Sequence, residues 1–269
     1  MGNRLVLRTL ALGYLGVLLV VPVGFVFYRT FEKGVGAAWE SVTTPQAQHA
    51  FWVTIELVAI AVPLNTIFGV VMAIALVRGR WRGRRLVSAL VDLPLALSPI
   101  VIGLALVLVW GSNGWFGEWL AENGIQVIFS FPGLVLATIF VSLPFVVRET
   151  VPVLREIGTE QEEAAETLGA SSWQSFWRVT LPAIRWGVAY GVILTTARAL
   201  GEFGAVSVVS GHLVGSTESL TLHVEDRYQA FDQTGAYAAA TLLAVIAVVV
   251  LVSMTLMKRR KGDTEWASS

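Results

Sequence analysis

Arg198 and Glu202 stand inside an otherwise apolar run, Ile184–Val209. A charge at the centre of a bilayer costs about 2.5–3.5 kcal/mol on insertion scales, so such groups normally turn to a bundle interior or a water cavity. With Thr195 they fall at i, i+3 and i+7, on one helical face. Two roles fit that face. Either Arg198 and Glu202 form a self-neutralising i,i+4 pair that locks the helix, or Arg198 lends positive potential and bidentate donors to a passing oxyanion while Glu202 holds it in place. Another polar cluster, His223-x-Glu225-Asp226, has the residue types of a metal site without supporting ligand spacing, and reads as a solvated loop with no metal. There is no cysteine and there are only three histidines, His49, His212 and His223. Disulfides and thiolate metal sites are thereby excluded, and no catalytic residue is expected.

A third polar stretch is Glu163-Ala164-Ala165-Glu166-Thr167-Leu168-Gly169-Ala170, followed by Val179-Thr180-Leu181-Pro182. Thr159 with Glu162 has the form of a capping box, so a helix is predicted from Glu160. Ala164, Ala165 and Leu168 give it a narrow apolar face, and Gly169 suits the left-handed residue that ends a helix. Ser171 with Gln174 repeats the capping signal, and Trp173, Phe176, Trp177 and Thr180 recur at helical spacing, as on a helix lying at a membrane interface. An exposed helix with a small-residue face suits insertion into a groove of another protein; an ordinary interfacial loop would show the same features.

Positioning these residues falls to an apolar scaffold. Of the 269 residues 55% are hydrophobic and 14% charged, with a mean hydropathy of +0.69; soluble domains carry roughly 25% charged residues. Net charge is zero and no basic stripe is interleaved with aromatics, which argues against nucleic acid. Apolar segments long enough to cross a core of about 30 Å recur at about 9–28, 51–77, 86–110, 131–147, 184–209 and 236–257. The expected fold is therefore all-α: a polytopic membrane protein of six transmembrane helices, one domain over 1–261 with a polar tail at 262–269. The first segment follows Arg4 and Arg8 and lacks a convincing small-x-small cleavage site, so it reads as a retained helix rather than a signal peptide.

Lysine and arginine orient the bundle. The second and fourth connections hold Arg78, Arg80, Arg82, Arg84 and Arg85, then Arg148, Arg155 and Arg178; the end of the chain adds Lys258, Arg259, Arg260 and Lys261. The odd connections hold Arg29, Lys33 and Arg227. Cations gather on the cytoplasmic side, which puts both termini and the loop 148–183 in the cytoplasm; Trp52, Trp81, Trp110 and Trp186 lie near span ends as an aromatic belt requires. Pro63, Pro94, Pro99 and Pro144 interrupt spans, the mark either of a bundle with an internal cavity or of ordinary membrane-helix composition. Gly187, Gly191 and Thr195 form a small-residue packing stripe. Asp92 is placed to pair with Arg84 or Arg85, and Glu56 and Asn65 are weaker cavity candidates.

The pattern Glu163-Ala164-Ala165, three residues, Gly169, nine residues, Val179, one residue, Leu181-Pro182 resembles the loop signature of permease subunits of bacterial ATP-binding-cassette (ABC) importers, with valine where isoleucine is commoner. The resemblance covers nearly the whole chain, since six spans with this loop between the fourth and fifth match the type I importer permease fold. Ala197-Arg198-Ala199-Leu200-Gly201-Glu202-Phe203-Gly204-Ala205-Val206 resembles the sulfate and molybdate permeases. Ser207-Val208-Val209-Ser210-Gly211-His212 and Thr221-Leu222-His223-Val224-Glu225 are most similar to the W-type permease of sulfate/thiosulfate importers.

What the resemblance implies is a subunit of the bacterial inner membrane with Glu163, Ala164, Ala165, Thr167, Leu168, Gly169, Ala170, Leu181 and Pro182 in an ATPase-coupling loop. Thr195, Arg198 and Glu202 would lie on the substrate pathway or gate. Its implied partners are the lipid bilayer, a paralogous T/U-type permease, two copies of an ABC ATPase that bind ATP and Mg, and a periplasmic or lipid-anchored sulfate-binding protein, touched by the loop around His223. The chain itself has no Gly-x4-Gly-Lys-Ser/Thr run, so no cofactor is expected in it. Molybdate or tungstate is the alternative cargo. A secondary oxyanion transporter would need midplane coupling residues and internal repeats, of which only Arg198 and Glu202 are present. An intramembrane enzyme fits least.

Overall fold

In the computed structural model the backbone is described for residues 2–266, and side-chain surroundings for 8–253 apart from residue 19. The cationic residues Arg4 and Lys258–Lys261 have side chains outside that range, as does the polar tail 262–269, whose last three residues are not described at all. Among the described residues all regular structure is helical.

The chain enters through α1 (Gly2–Leu15), a π-turn at Gly16–Val20 and α2 (Val21–Phe31), then the short α3 (Val35–Val42). The central strut is α4 (Pro45–Arg78), 34 residues long and therefore about 51 Å. It starts where the fixed φ of Pro45 and the Thr44 hydroxyl, which accepts from the Ala47 amide at 3.2 Å, satisfy its first turn. Next come α5 (Arg84–Ala96), α6 (Pro99–Trp110), α7 (Gly117–Glu122), α8 (Phe131–Ser142) and α9 (Pro144–Glu156), the last two forming one 26-residue span through Leu143. The loop helix α10 (Glu160–Thr167) leads to α11 (Ser172–Ser175), which runs through a π-turn at Phe176–Thr180 into α12 (Leu181–Leu200). Then α13 (Gly204–Ser210), α14 (Leu220–Gln229) and α15 (Gln233–Trp266) complete the chain.

Among the described residues five helical segments are long and apolar enough to cross a membrane, or six if the pair α5–α6 counts as one broken span. That pair occupies the span expected at 86–110, which Pro94 and Pro99 are expected to interrupt, and there the helix bends by 115°. Pro99 forces the residue before it out of the α region, and Leu97 and Ser98 are both extended, with ψ of 146° and 137°. The expected fifth span at 184–209 is also not one helix. It ends at Leu200, turns through Gly201–Phe203, and resumes as α13.

The outer pieces of these two broken spans pack on each other. A Cβ at Gly103 on α6 would lie 2.7 Å from Val208 Cβ and 2.9 Å from the Ala205 carbonyl on α13, so only glycine permits that crossing. A second tight seam joins α4, α9 and α12. Val146 is fully buried between two glycines, with a Cβ at Gly69 falling 2.5 Å from its Cβ and one at Gly191 falling 2.6 Å from its Cα. Gly187 likewise meets the Glu149 carbonyl at 2.8 Å, which makes the Gly187–Gly191 stripe a packing surface. Among the described residues the apolar side chains gather in four clusters, of which two matter here. One gathers Val70, Ala73, Val146, Leu154 and Ile184 towards α10. The other, at the broken-helix end, is built around Ile102, Leu134, Val206, Val209 and Leu222.

Candidate functional site

At the loop end α10 contains no buried residue. Leu168 is 89% exposed, Glu163, Ala164, Thr167 and Gly169 are exposed, and Ala165 and Ala170 are half-buried. Gly169 ends the helix at φ +86°, with nothing within 4 Å of the Cβ it lacks. Thr167 donates to the Ala164 carbonyl at 2.8 Å, and the Ala170 amide closes onto Ala165 at 3.0 Å. A rigid, small-residue helix thus projects from the bundle. Leu181, half-buried, packs against the inner core, and the exposed Pro182 opens α12.

Only one of the two expected capping boxes forms. At Ser171–Gln174 both reciprocal bonds are present, at 2.9 and 3.3 Å. At Thr159 the hydroxyl instead donates to Glu163 Oε1 at 2.7 Å, because Glu162 is drawn elsewhere. Its carboxylate accepts from Arg78 Nε at 2.9 Å and from the Thr180 hydroxyl at 2.7 Å. Arg78 further donates to the carbonyls of Leu154, at 3.1 Å, and Gly158. Sequence alone marks Arg78 only as one of several topogenic cations; nothing in its spacing reveals the carbonyls it meets. The second short helix of the loop is not free-standing either: α11 continues into α12 as one 29-residue segment, with Trp173, Phe176 and Trp177 packed at its start, Trp177 edge-on to the other two rings.

Arg198 and Glu202 lie at the other end of α12, roughly 30 Å away along its 20 residues. Arg198 Nη1 is 2.7 Å from Glu202 Oε2; the arginine side chain is 29% exposed and the glutamate 2%. Glu202 Oε1 also accepts from the Ala205 amide at 2.8 Å, satisfying the opening turn of α13, and Thr221 donates to the Glu202 carbonyl at 2.8 Å. The glutamate therefore ties the helix break to Arg198 and to the first turn of α13. Thr195, one turn before Arg198, is fully buried, in line with the Gly187–Gly191 stripe.

The cluster around His223 is not a solvated loop. His223 is 1% exposed, its Nδ1 2.7 Å from Glu218 Oε1, and Glu218 is itself buried at 3%. An apolar interior leaves a carboxylate there no partner but a nearby donor, so the histidine turns inward. Glu225 and Asp226 meet His212 instead, with ligand atoms within 4.8 Å of one another, and His212 Nδ1 lies 3.1 Å from Asp226. Asp92 bonds Arg148 Nε on α9 at 2.7 Å rather than Arg84 or Arg85, since α5 carries it towards α9. Glu56 is exposed. Asn65 is fully buried, donating to the Ile139 carbonyl at 3.1 Å and Ser142 Oγ at 2.8 Å, a tie between α4 and α8.

A bundle of membrane-length helices with an exposed loop helix is the architecture of a membrane permease, and likeness to known proteins places the chain in that class. The chain belongs to the family of binding-protein-dependent transport system inner membrane components, matched over residues 65–262. It is 51% identical over 259 residues to the sulfate transport system permease protein CysW of Synechocystis sp., covering 96% of this chain and 94% of that one. It is 40% identical over 258 residues to the permease CysT of Escherichia coli, covering 94% and 93%. Its fold matches a bacterial ABC transporter involved in import of the acidic polysaccharide alginate, with a TM-score of 0.80 at 19% identity over 96% of each chain.

Proposed function

We propose that this chain is the membrane permease subunit of an ATP-driven importer for sulfate or thiosulfate, paired with a T/U-type paralogue. The observation that carries its mechanical role is α10: a helix with no buried residue, presenting Ala164 and Leu168 beside a left-handed Gly169. An exposed helix with a small-residue face ending in Leu168 fits a groove on an ATPase subunit. Two copies of that ATPase bind ATP and Mg; their closure moves the docked loops, the spans tilt outward to accept cargo, and hydrolysis returns them. The cation distribution supports both termini and the loop 148–183 facing the cytoplasm. An external binding protein then delivers cargo at the α7 and α14 end, in keeping with the family's description.

The cargo reading rests on the relatives, whose names specify sulfate. Removing this chain from its host should abolish accumulation of radiolabelled sulfate, and undiminished uptake would overturn the reading; selective loss of molybdate or tungstate uptake would reassign the cargo.

On the pathway, Arg198 is the proposed gate residue and Glu202 its holder, with Thr195 behind them in the packing. The half-exposed guanidinium keeps donors beyond the one engaged by Glu202. Arg198→Lys preserves charge but not the fork, so sulfate uptake should fall with assembly intact; full uptake would leave the pair a purely structural lock.

A further inference from the structure

We infer that Arg78, acting through Glu162, is the positioning residue that makes α10 and the ends of α4, α9 and α12 one rigid lever, so that motion received by the loop reaches the spans undiminished. The inference rests on the coupling role proposed for α10. Its warrant is the connectivity of a single polar cluster. Arg78 is the last residue of α4, and its guanidinium reaches the Leu154 carbonyl on α9, the Gly158 carbonyl just beyond that helix, and the Glu162 carboxylate on α10. Glu162 in turn accepts from Thr180, the residue on which α12 begins. Both charged side chains are largely withdrawn from water, at 18% and 19% exposure, so the bonds are little screened.

Apolar packing holds α10 only weakly, because none of its residues is buried and Ala165 is no more than half-buried. The side-chain bonds that tie it to α4, α9 and α12 are those of the Arg78–Glu162–Thr180 cluster, so its direction is set chiefly by the planar fork of one arginine. Gly158, at φ +65°, turns the chain between α9 and α10, so without the clamp the loop has a ready hinge. A loop able to swing on Gly158 would still dock on an ATPase, yet would dissipate the stroke.

The test uses the whole importer, with its ATPase, partner permease and binding protein, in proteoliposomes. It reads ATP hydrolysed per sulfate moved, alongside the amount of ATPase subunit retained. Arg78→Ala should keep the ATPase subunit bound and hydrolysing while the ratio rises about tenfold, the effect of losing charge-assisted hydrogen bonds. Arg78→Lys should recover part of the loss, since an ammonium keeps the charge but not the fork. Glu162→Gln, isosteric and still able to accept from Thr180, should raise the ratio less, and serves if Arg78→Ala does not assemble. Because the chain has no cysteine, spin labels introduced at Glu160 and Arg155 report the hinge: the distance distribution should broaden in Arg78→Ala. An unchanged ratio, or loss of the ATPase subunit with the remaining complexes normally coupled, would overturn the lever. Leu168→Asp separates the two levels. If it keeps ATPase binding and coupling, the docking role of α10 fails; if it loses them while Arg78→Ala couples normally, only the lever fails.

Discussion

The two ends of the bundle solve opposite problems. At the loop end, α10 buries nothing and offers Leu168 and Ala164 to the outside, held by the polar clamp from Arg78 to Glu162. At the broken-helix end, Glu202, Ser210, Thr217, Glu218 and His223 are all buried, each within 3.1 Å of a partner group. Breaking α5–α6 and α12–α13 inside an apolar layer exposes backbone groups that lipid cannot satisfy, so polar side chains must be brought in to satisfy them. At the loop end the corresponding task falls to one side chain, Arg78, which donates to the Leu154 and Gly158 carbonyls where α9 ends. The two ends thus differ in where they put their polar groups: exposed on α10, buried at the helix breaks.

The contrast predicts that substitutions at the broken end cost stability, and substitutions on α10 cost function alone. The largest loss is expected for Gly103→Leu, where even the Cβ meets Val208 and the Ala205 carbonyl at under 3 Å. Forcing α6 from α13 should cost about 3 kcal/mol, the upper part of the overpacking range, read as a lower melting temperature in detergent. Glu218→Ala strands His223 without its acceptor and should cost about 1.5–3 kcal/mol, with Glu218→Gln costing less; equal losses for the two would mean that the carboxylate is not what holds the histidine. Arg148→Ala breaks a pair whose side chains are 54% and 37% exposed, and should move stability by no more than about 1 kcal/mol. Smallest is Leu168→Asp, under about 0.5 kcal/mol, since Leu168 touches little of its own chain. A large melting shift there would erase the distinction between the two ends.

Legibility in the sequence follows the same division. Spacing alone placed the α10 face, the left-handed Gly169 and the Ser171–Gln174 box, because these are local features set within one or two turns. The Gly187–Gly191 stripe was equally readable from its period. What escaped were features made by contacts distant in sequence. Pro99 marked an interruption, yet its 115° bend depends on α6 finding α13. The capping box at Thr159 failed because Arg78, 84 residues before Glu162, competes for its carboxylate. His223, Glu225 and Asp226 are neighbours in sequence, but a helix turns the first inward and leaves the others beside His212. Asp92 found Arg148 rather than its nearer arginines for the same reason.

Gly169→Asp tests the central claim most directly. Nothing in this chain lies within 4 Å of the missing Cβ; φ +86° strains any side chain, but aspartate tolerates the left-handed backbone better than most residues, so loss of coupling in a chain that still folds and inserts comes from a partner. The measurement is ATP-dependent sulfate uptake by the reconstituted importer, with binding-protein-stimulated hydrolysis read in parallel. The coupling account predicts a folded, membrane-inserted chain in which both are lost together. Uptake and stimulated hydrolysis at the unsubstituted level would contradict it.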